Sequence, residues 1–231
     1  MVLDKAMAPA TVFCDFDGTI TAVDTFDLLM QDTYGDVWRQ LKGDLLCFRL
    51  TLRQVMNRLG TVLTAQHLRA MEERMATFAP RPGFLRFLDA MDRAGIPVVV
   101  VSGGFLPLVE AVLREHGHRF KAVIAGRPVP LDERGARHHI HSPYSSGEEL
   151  VAKALVMDKY GQGRAIAIGD GITDLRMAEA ADVVFARDLL ADLLTERGTA
   201  FHPWRDFDDV ALRLVRLGLA APSCLRSAPC D

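Results

Sequence analysis

The sequence predicts an α/β fold: a doubly wound parallel sheet that carries a small helical domain as an insertion. Short apolar runs rich in β-branched residues recur along the chain, and most are continuous rather than alternating, which is typical of strands covered on both faces. Apolar residues at helical spacing lie between these runs, so strand and helix alternate. The predicted strands cover residues 11–14, 96–101, 121–125, 165–168 and 183–185.

The segment between the first two predicted strands breaks this alternation. It contains several amphipathic helical patterns, and Pro80, Pro82 and Gly83 are placed to return the chain to the sheet. We therefore predict a helical insertion at residues 25–80 and a core formed by residues 1–24 and 81–218. The last residues, 219–231, are rich in small and turn-forming types and are predicted to form a flexible tail.

Composition limits the classes of function. The chain has 231 residues and a formal net charge of -3, so it lacks the basic surplus that indicates a nucleic-acid partner. The N-terminal "MVLDKAMAPA" does not resemble a signal peptide, and no apolar run reaches the ~20 residues of a membrane span. The four cysteines have no zinc-site spacing and are too sparse for a disulfide scaffold. We expect a soluble cytoplasmic protein, a monomer or homodimer, that acts on a small molecule rather than on nucleic acid or membrane.

Polar motifs follow three of the predicted strands, at the point where each strand ends. Asp15 and Asp17 follow the first strand, "SGG" (residues 102–104) follows "VVVV", and "GDGITD" (residues 169–174) follows "AIAI". Ligands of open α/β sheets bind at the carboxyl ends of the strands. The sequence therefore predicts that these motifs form one site.

The acid pair after the first strand is typical of a catalytic site. Like charges so close together raise each other's pKa unless a cation or a proton lies between them. Hydrolysis of a phosphate monoester needs an in-line nucleophile, a proton for the leaving oxygen and positioned positive charge. Asp15 is the predicted nucleophile, forming an aspartyl-phosphate, and Asp17 the predicted general acid and base.

A magnesium ion would offset the charge of two carboxylates and a phosphate, since Mg²⁺ prefers oxygen ligands and commonly binds one or two carboxylates together with substrate phosphate. The predicted ligands are the side chains of Asp15 and Asp170 and the backbone carbonyl of Asp17. Asp174 is expected to orient a metal-bound water.

Donors to the phosphate oxygens are predicted from the other motifs. Ser102 and the backbone amides of Gly103 and Gly104 would bind phosphate, because glycine lets the backbone approach closely. Lys153 would place a fixed positive charge against phosphate and Asp15, and Lys159, near the end of the same helix, is a weaker candidate.

Each motif also has an ordinary structural explanation. The acid pair could form an Asx-turn, "SGG" a simple turn, "GDGITD" a helix N-cap, and Lys153 could be a solvated helix residue. All four in this order at one sheet edge favour a site. Thr19 and Thr173, within the acidic motifs, are further candidates for binding substrate.

This ordered set, "DFDGT", then a serine, a lysine and "GDGxxD", resembles the haloacid dehalogenase superfamily of phosphatases. The resemblance covers nearly the whole chain. It implies a Rossmann-like core with a helical-bundle cap inserted after the first motif, a magnesium cofactor and a small phosphorylated metabolite as substrate.

Two groups within that superfamily are similar to this sequence. "VVSGGF" and "GDGITD" resemble phosphoserine phosphatases, which implies that Asp24 recognises a substrate amino group and Arg58 a carboxylate. "CDFDGTIT", "HIHSPY", "DVVFARDLL" and "PWRDF" resemble the 2-hydroxy-3-keto-5-methylthiopentenyl-1-phosphate phosphatases instead. The cysteine-rich loop that some members of this second group have before the lysine is replaced here by "SSGEELVAK".

Two other functions use related machinery. A receiver-type phospho-acceptor module also has an acid pair, a hydroxyl residue and a lysine, but it lacks an acid at the position of Asp17 and the large insertion. A dehalogenase or phosphonate hydrolase could use the same scaffold, and the latter would need a cap lysine, for which Lys42 is the sole candidate in residues 25–80. The "RHHIH" segment alternates as a strand does, so we predict a surface hairpin rather than a metal site there.

Overall fold

The computed structural model describes residues 9–47 and 49–225 and has a seven-stranded sheet at its centre. The strand order is β4-β3-β2-β1-β5-β6-β7, with every pairing parallel except that of β3 with β4. The predicted α/β class with a doubly wound parallel sheet is confirmed. The strands are β1 (Ala10–Cys14), β2 (Val98–Phe105), β3 (Ala122–Pro130), β4 (His138–His141), β5 (Arg164–Gly169), β6 (Val183–Ala186) and β7 (His202–Pro203).

The first strand lies at the middle of the sheet because the chain adds strands on one side of it and then on the other. β1 pairs with β2 on one side and with β5 on the other, and all five of its residues are buried. A continuous apolar run is what a strand covered on both faces requires. The order in which strands are added therefore reverses next to β1. In α/β sheets, ligands bind in the crevice at such a point.

The second strand is longer than the sequence predicts. It continues through Ser102, Gly103 and Gly104 to Phe105, and its register with β3 shifts between Val101 and Phe105. The "SGG" motif is therefore an irregular end of the strand rather than a loop after it. Such irregularities redirect side chains at strand ends.

Helices cover both faces of the sheet. α5 begins at an αL glycine, Gly83, and packs with α10, while α6 packs on β2 and β3. The core helices are α5 (Phe84–Ala94), α6 (Leu106–Leu113), α7 (Lys153–Tyr160), α8 (Leu175–Glu179), α9 (Asp188–Glu196) and α10 (Phe207–Arg216).

Four helices follow β1, as the amphipathic patterns predict. They are α1 (Thr25–Tyr34), α2 (Asp36–Leu46), α3 (Leu52–Gly60) and α4 (Ala65–Met75). α3 and α4 both begin with a capping box, from Thr51 and Thr64, which satisfies amide groups that the first turn would leave unpaired. We refer to residues 25–80 as the cap, with the boundaries that the sequence suggests.

The two connections to the cap lie side by side. Thr21 pairs with Pro80 as an isolated antiparallel bridge, and the Arg81 amide donates to the Ile20 carbonyl at 2.6 Å. The chain therefore leaves and re-enters the core at one place. No helix among the residues that the structure describes is long and apolar enough to cross a bilayer.

Two peripheral segments pack more closely than the sequence suggests. Leu219, Ala220 and Cys224 are buried, and Arg93 donates from Nε and Nη2 to the Cys224 carbonyl at 3.0 and 2.8 Å. Residues 219–225 therefore differ from the flexible tail predicted for residues 219–231, because their apolar side chains cover α5; residues 226–231 lie outside the described part of the chain.

The β3–β4 hairpin contains the histidine-rich segment. His138 is buried, with its Nδ1 at 2.6 Å from the Leu63 carbonyl of the cap, whereas His139 and His141 are exposed. The alternation of buried and exposed residues is the strand pattern expected for "RHHIH". This hairpin therefore joins the sheet edge to the cap.

Candidate active site

A cavity of about 330 Å³ opens at the carboxyl ends of β1, β2 and β5, beneath the cap. Acidic residues and glycines line its floor, and apolar side chains of the cap line much of its wall. The lining residues are Asp15, Asp17, Asp24, Phe26, Asp27, Trp38, Lys42, Leu45, Leu46, Leu52, Met56, Gly103, Gly104, Asp170, Gly171, Ile172, Thr173, Asp174, Asp188 and Leu189.

A buried lysine joins two of the floor carboxylates. Lys153 Nζ contacts Asp15 Oδ1 and donates to Asp174 Oδ1 at 2.5 Å, and the Lys153 side chain is 1% exposed. Burial alone lowers a lysine pKa, but Asp15 and Asp174 outweigh it and raise the pKa of Lys153 above its usual range. The ammonium form is therefore the stable one, and it supplies a fixed positive charge beside Asp15.

Asp15 lies at the end of β1 and is almost completely buried. Its burial and the charge of Asp174 raise the pKa of its carboxyl group, and the Lys153 ammonium opposes that rise. A carboxylate in this environment is poorly solvated, so its ionised form needs a positive charge beside it.

Three carboxylates form a group that fits a hard metal ion. Within residues 9–47 and 49–225, oxygens of Asp15, Asp170 and Asp174 lie within 4.8 Å of one another, and no other such group of metal-ligating side chains occurs there. Burial, followed by the charge of Asp174, raises the pKa of Asp170 to about 6. An all-oxygen set of mutually repelling acids suits Mg²⁺.

Hydrogen bonds orient Asp170 and Asp174. Thr19 Oγ1 donates to Asp170 Oδ1 at 2.5 Å. Asp174 Oδ2 accepts from the amides of Asp170 and Gly171 at 3.0 and 2.9 Å, while its other oxygen binds Lys153. Both oxygens of Asp174 are therefore occupied by protein donors, which favours an orienting role for this residue over direct ligation.

Gly18, in "DFDGT", is required by its conformation and by its neighbour. Its φ is +77°, a left-handed value that side-chain-bearing residues rarely adopt. A Cβ at this position would overlap Asp170 Oδ2. The glycine therefore lets the loop after β1 approach the acidic motif of β5.

Asp17 is hydrogen-bonded to the cap and has a raised pKa. Thr25 Oγ1 and the Phe26 amide, both in the first turn of α1, donate to its Oδ1 at 2.5 and 3.0 Å. Burial, followed by the charge of Asp24, raises its pKa to about 7. A carboxyl group with such a pKa can hold or release a proton near neutral pH.

The end of β2 forms another side of the site. Ser102 Oγ lies 3.5 Å from Asp17 Oδ2 and accepts from the Gly104 amide at 3.0 Å. Gly103 and Gly104 line the cavity, and so does Thr173 from the β5 motif. The predicted phosphate-binding residues of β2 therefore lie next to the predicted acid.

The structure places two predicted substrate-binding residues away from the cavity. Thr19 is fully buried and orients Asp170, so it does not line the cavity in this structure. Arg58 is exposed on α3 and lies two residues, about 200° of helix, beyond Met56, which does line the cavity. Asp24 does line the cavity, and its Oδ1 caps α1 by accepting from the Asp27 amide at 2.8 Å.

Arg81 is a buried residue that the sequence analysis did not identify as part of the site. Its Nε donates to the Thr19 carbonyl at 2.9 Å, and its Nη2 donates to the carbonyls of Gly18 and Thr21 at 2.5 and 3.1 Å. It therefore fixes the loop after β1. Its only sequence signal is its place between Pro80 and Pro82, which gives no indication of a contact some sixty residues away.

Comparison with known proteins identifies the family. The family model described as haloacid dehalogenase-like hydrolase matches residues 12–179. A 2-hydroxy-3-keto-5-methylthiopentenyl-1-phosphate phosphatase of Microcystis aeruginosa is 38% identical over 86% of this chain and 94% of its own. A phosphatase of the same description from Geobacillus kaustophilus (strain HTA426) is 30% identical over 89% of this chain and 96% of its own.

Solved structures show the same fold at lower identity. A structure described as a phospho-aspartyl intermediate analogue of phosphoserine phosphatase has a TM-score of 0.68 and 19% identity, and the match covers 90% of this chain and 98% of the other. Its similarity supports the fold alone. On the family model and the sequence relatives, the predicted family and enzyme class are confirmed: this chain belongs to the haloacid dehalogenase-like hydrolases and is a phosphoric monoester hydrolase of that family.

Proposed function

We propose that the protein is a magnesium-dependent phosphomonoesterase that hydrolyses a small metabolite through an aspartyl-phosphate on Asp15. The arrangement of Asp15 carries this proposal: it lies at the cavity floor with Lys153 against one of its oxygens and with Asp17 two residues away. A nucleophile, a fixed positive charge and a proton donor thus meet at one strand end.

In the first half-reaction an Asp15 oxygen attacks phosphorus, and the bond between phosphorus and the leaving oxygen breaks. Asp17 transfers its proton to that oxygen, so the product alcohol leaves neutral. The raised pKa of Asp17, about 7, supports this role because a useful fraction is protonated near neutral pH. Lys153 and the amides of Gly103 and Gly104 would stabilise the charge on the transferring group.

In the second half-reaction water attacks phosphorus of the aspartyl-phosphate and restores the Asp15 carboxylate. Asp17, now ionised, accepts the proton of that water, and inorganic phosphate leaves. The same residue therefore acts first as acid and then as base, which the burial around its carboxyl group permits.

The side chains of Asp15 and Asp170 and the carbonyl of Asp17 would hold the magnesium ion, and Asp174 would orient a ligand of it. When bound, the ion supplies positive charge that lets the carboxylates and the phosphate share a desolvated space. Thr19 would keep Asp170 in position through its hydrogen bond of 2.5 Å.

The wall of the cavity favours an ester with an apolar end. Eight of its lining residues are apolar, and Lys42 is the one lysine or arginine among the lining residues that the structure describes. A phosphoserine carboxylate would need an uncompensated cation, whereas the charge of Lys42 is balanced by Asp27 and Arg58 lies elsewhere. We therefore propose 2-hydroxy-3-keto-5-methylthiopentenyl-1-phosphate as the substrate, the compound named for the relatives in Microcystis and Geobacillus. The apolar residues are Phe26, Trp38, Leu45, Leu46, Leu52, Met56, Ile172 and Leu189.

The alternatives are less well supported. A receiver-type module does not need a general acid, so the raised pKa of Asp17 argues for turnover. A phosphonate hydrolase would need a neutral Lys42 amine for a Schiff base, whereas Lys42 forms an ion pair with Asp27 at 2.7 Å. A cytoplasmic monomer or homodimer that binds neither nucleic acid nor membrane remains part of the proposal.

The experiment that tests the proposal is release of inorganic phosphate, with magnesium and then with EDTA, from a panel of esters. The panel contains the methylthiopentenyl ester, phosphoserine, phosphocholine, glycerol phosphates and p-nitrophenyl phosphate. The expected result is a preference for the methylthiopentenyl ester that EDTA abolishes. A preference for phosphoserine would overturn the substrate assignment, and no release from any ester would overturn the proposed activity.

A further inference from the structure

Three cap residues place a polar group among the apolar side chains that the cap contributes to the cavity. Asp27 lies in α1, and Trp38 and Lys42 lie one turn apart in α2; we call these three residues the Lys42 cluster. All three line the cavity that Asp15 and Asp17 also line. The chemistry proposed above uses none of them.

The contacts of the cluster position the lysine. Trp38 Nε1 donates to Asp27 Oδ1 at 2.7 Å, and Lys42 Nζ lies 2.7 Å from the same oxygen. Trp38 is buried, whereas the side chain of Lys42 is 40% exposed. The indole thus fixes the carboxylate, and the carboxylate fixes the lysine, in a place that a ligand can reach.

An ammonium group has three N–H donors, and Asp27 is its one ion-pair partner among residues 9–47 and 49–225. Donors therefore remain for a ligand. A hydroxyl or carbonyl oxygen that enters this cavity loses its water against leucine, phenylalanine and methionine side chains. Such an oxygen binds well only where a donor replaces that water.

We propose that Lys42, positioned by Asp27 and Trp38, is a specificity-determining residue that donates a hydrogen bond to a hydroxyl or carbonyl oxygen next to the phosphoester carbon of the leaving group. This inference rests on the proposed function and deepens it. The 2-hydroxy-3-keto pattern of the proposed substrate carries one such oxygen, the 2-hydroxyl, and the 3-keto oxygen lies one carbon farther toward the apolar end. The substrate class is thus a phosphate ester of a short oxygenated chain that ends in an apolar group.

The test compares two esters in one variant. Lys42→Met removes the donor and retains much of the side chain's length. We expect kcat/KM for the methylthiopentenyl ester to fall roughly tenfold to hundredfold, the effect of losing a hydrogen bond to a charged group. For phenyl phosphate, whose leaving group carries no second oxygen, we expect a change of less than about twofold, since no such bond is lost.

Arg39→Met is the matched control, because Arg39 lies on the same helix, pairs with Asp36 and does not line the cavity. This variant should leave kcat/KM for both esters unchanged. Asp27→Asn is the second variant, since it keeps an oxygen for Trp38 but removes the charge that positions Lys42, and it should lower kcat/KM for the methylthiopentenyl ester selectively. Equal losses for both esters, or no loss for either, would overturn the inference.

The outcomes also separate this inference from the proposed substrate. If the wild-type enzyme hydrolyses phenyl phosphate but not the methylthiopentenyl ester, the proposed substrate is wrong. The Lys42 variants are then compared on dihydroxyacetone phosphate, whose carbonyl lies next to the ester carbon, against phenyl phosphate. A selective loss on the carbonyl ester supports the role of Lys42, and an equal loss or none overturns it.

Discussion

Removal of Lys153 should expose how strongly the site depends on one buried cation. Lys153 is 1% exposed and lies between Asp15 and Asp174, which are themselves buried. Lys153→Met fills a similar volume but leaves two carboxylates without their partner. Removing one member of a buried ion pair typically costs about 3–5 kcal/mol. For a chain of this length that corresponds to a melting temperature about 6–20 °C lower.

The loss should depend on pH in a defined direction. Without the ammonium, which opposes the rise in the pKa of Asp15, the folded variant keeps a proton on Asp15 that the unfolded chain has already released near its ordinary carboxyl pKa. The stability of the variant relative to the wild type should therefore fall as pH rises above the ordinary carboxyl pKa. The difference in melting temperature is expected to be larger at about pH 8 than at about pH 5.

The assay is thermal unfolding of the wild type, Lys153→Met and the control Lys159→Met at both pH values, with and without magnesium. Lys159 lies on the same helix but is exposed, so Lys159→Met should have the same melting temperature as the wild type. Magnesium should recover part of the loss at the higher pH, because it places positive charge near Asp15 and Asp170. A Lys153→Met protein that melts with the control at high pH would refute the electrostatic account.

Four further predictions concern the chemistry. Asp15→Asn should abolish turnover and leave the far-UV circular dichroism unchanged, since it removes the nucleophile at nearly constant volume; retained phosphate release would contradict the mechanism. Asp17→Asn should slow the hydrolysis of alkyl esters by about a hundredfold or more. It should slow the hydrolysis of p-nitrophenyl phosphate much less, because nitrophenolate leaves without a proton. In the wild type, kcat/KM for alkyl esters should fall as pH rises through about 7, where Asp17 of the free enzyme loses its proton, and a flat profile would count against that assignment. Magnesium affinity, measured by calorimetry, should rise between about pH 5 and pH 7, because Asp170 with its pKa of about 6 must lose a proton first; equal affinities at both values would contradict the linkage.

Much of the fold and the floor of the site could be predicted because both follow from local patterns. Continuous apolar runs identified the parallel strands, and a strand end fixes where Asp15, Asp17 and Asp170 must lie. The hydrogen bond from Thr19 to Asp170 could not be predicted, because neighbouring strand ends bring the two motifs together without specifying which of their side chains pair. Nothing in the local sequence distinguishes a threonine that binds a ligand from one that orients a carboxylate.

The cap was harder to interpret because helical spacing defines a buried face but not what that face covers. Arg58 lies on a helix whose cavity face carries Leu52 and Met56. Which way the Arg58 side chain faces depends on how that helix packs, which helical spacing does not specify. The sequence identifies Lys42 as the one lysine of residues 25–80, but its pairing with Asp27 and its place in the cavity depend on how α1 and α2 pack. The terminal residues 219–225 were misjudged for a related reason, since small residues suit a close-packed surface as well as a mobile one.

The hydrogen bonds of Asp17 cross from the core to the cap. Its carboxyl group belongs to the loop after β1, but its donors, Thr25 Oγ1 and the Phe26 amide, belong to the first turn of α1. Any outward movement of α1 would remove both donors and leave this carboxyl group free to rotate. In the proposed mechanism, Asp17 is therefore correctly oriented only while α1 covers the cavity, so protonation of the leaving group would depend on enclosure of the substrate.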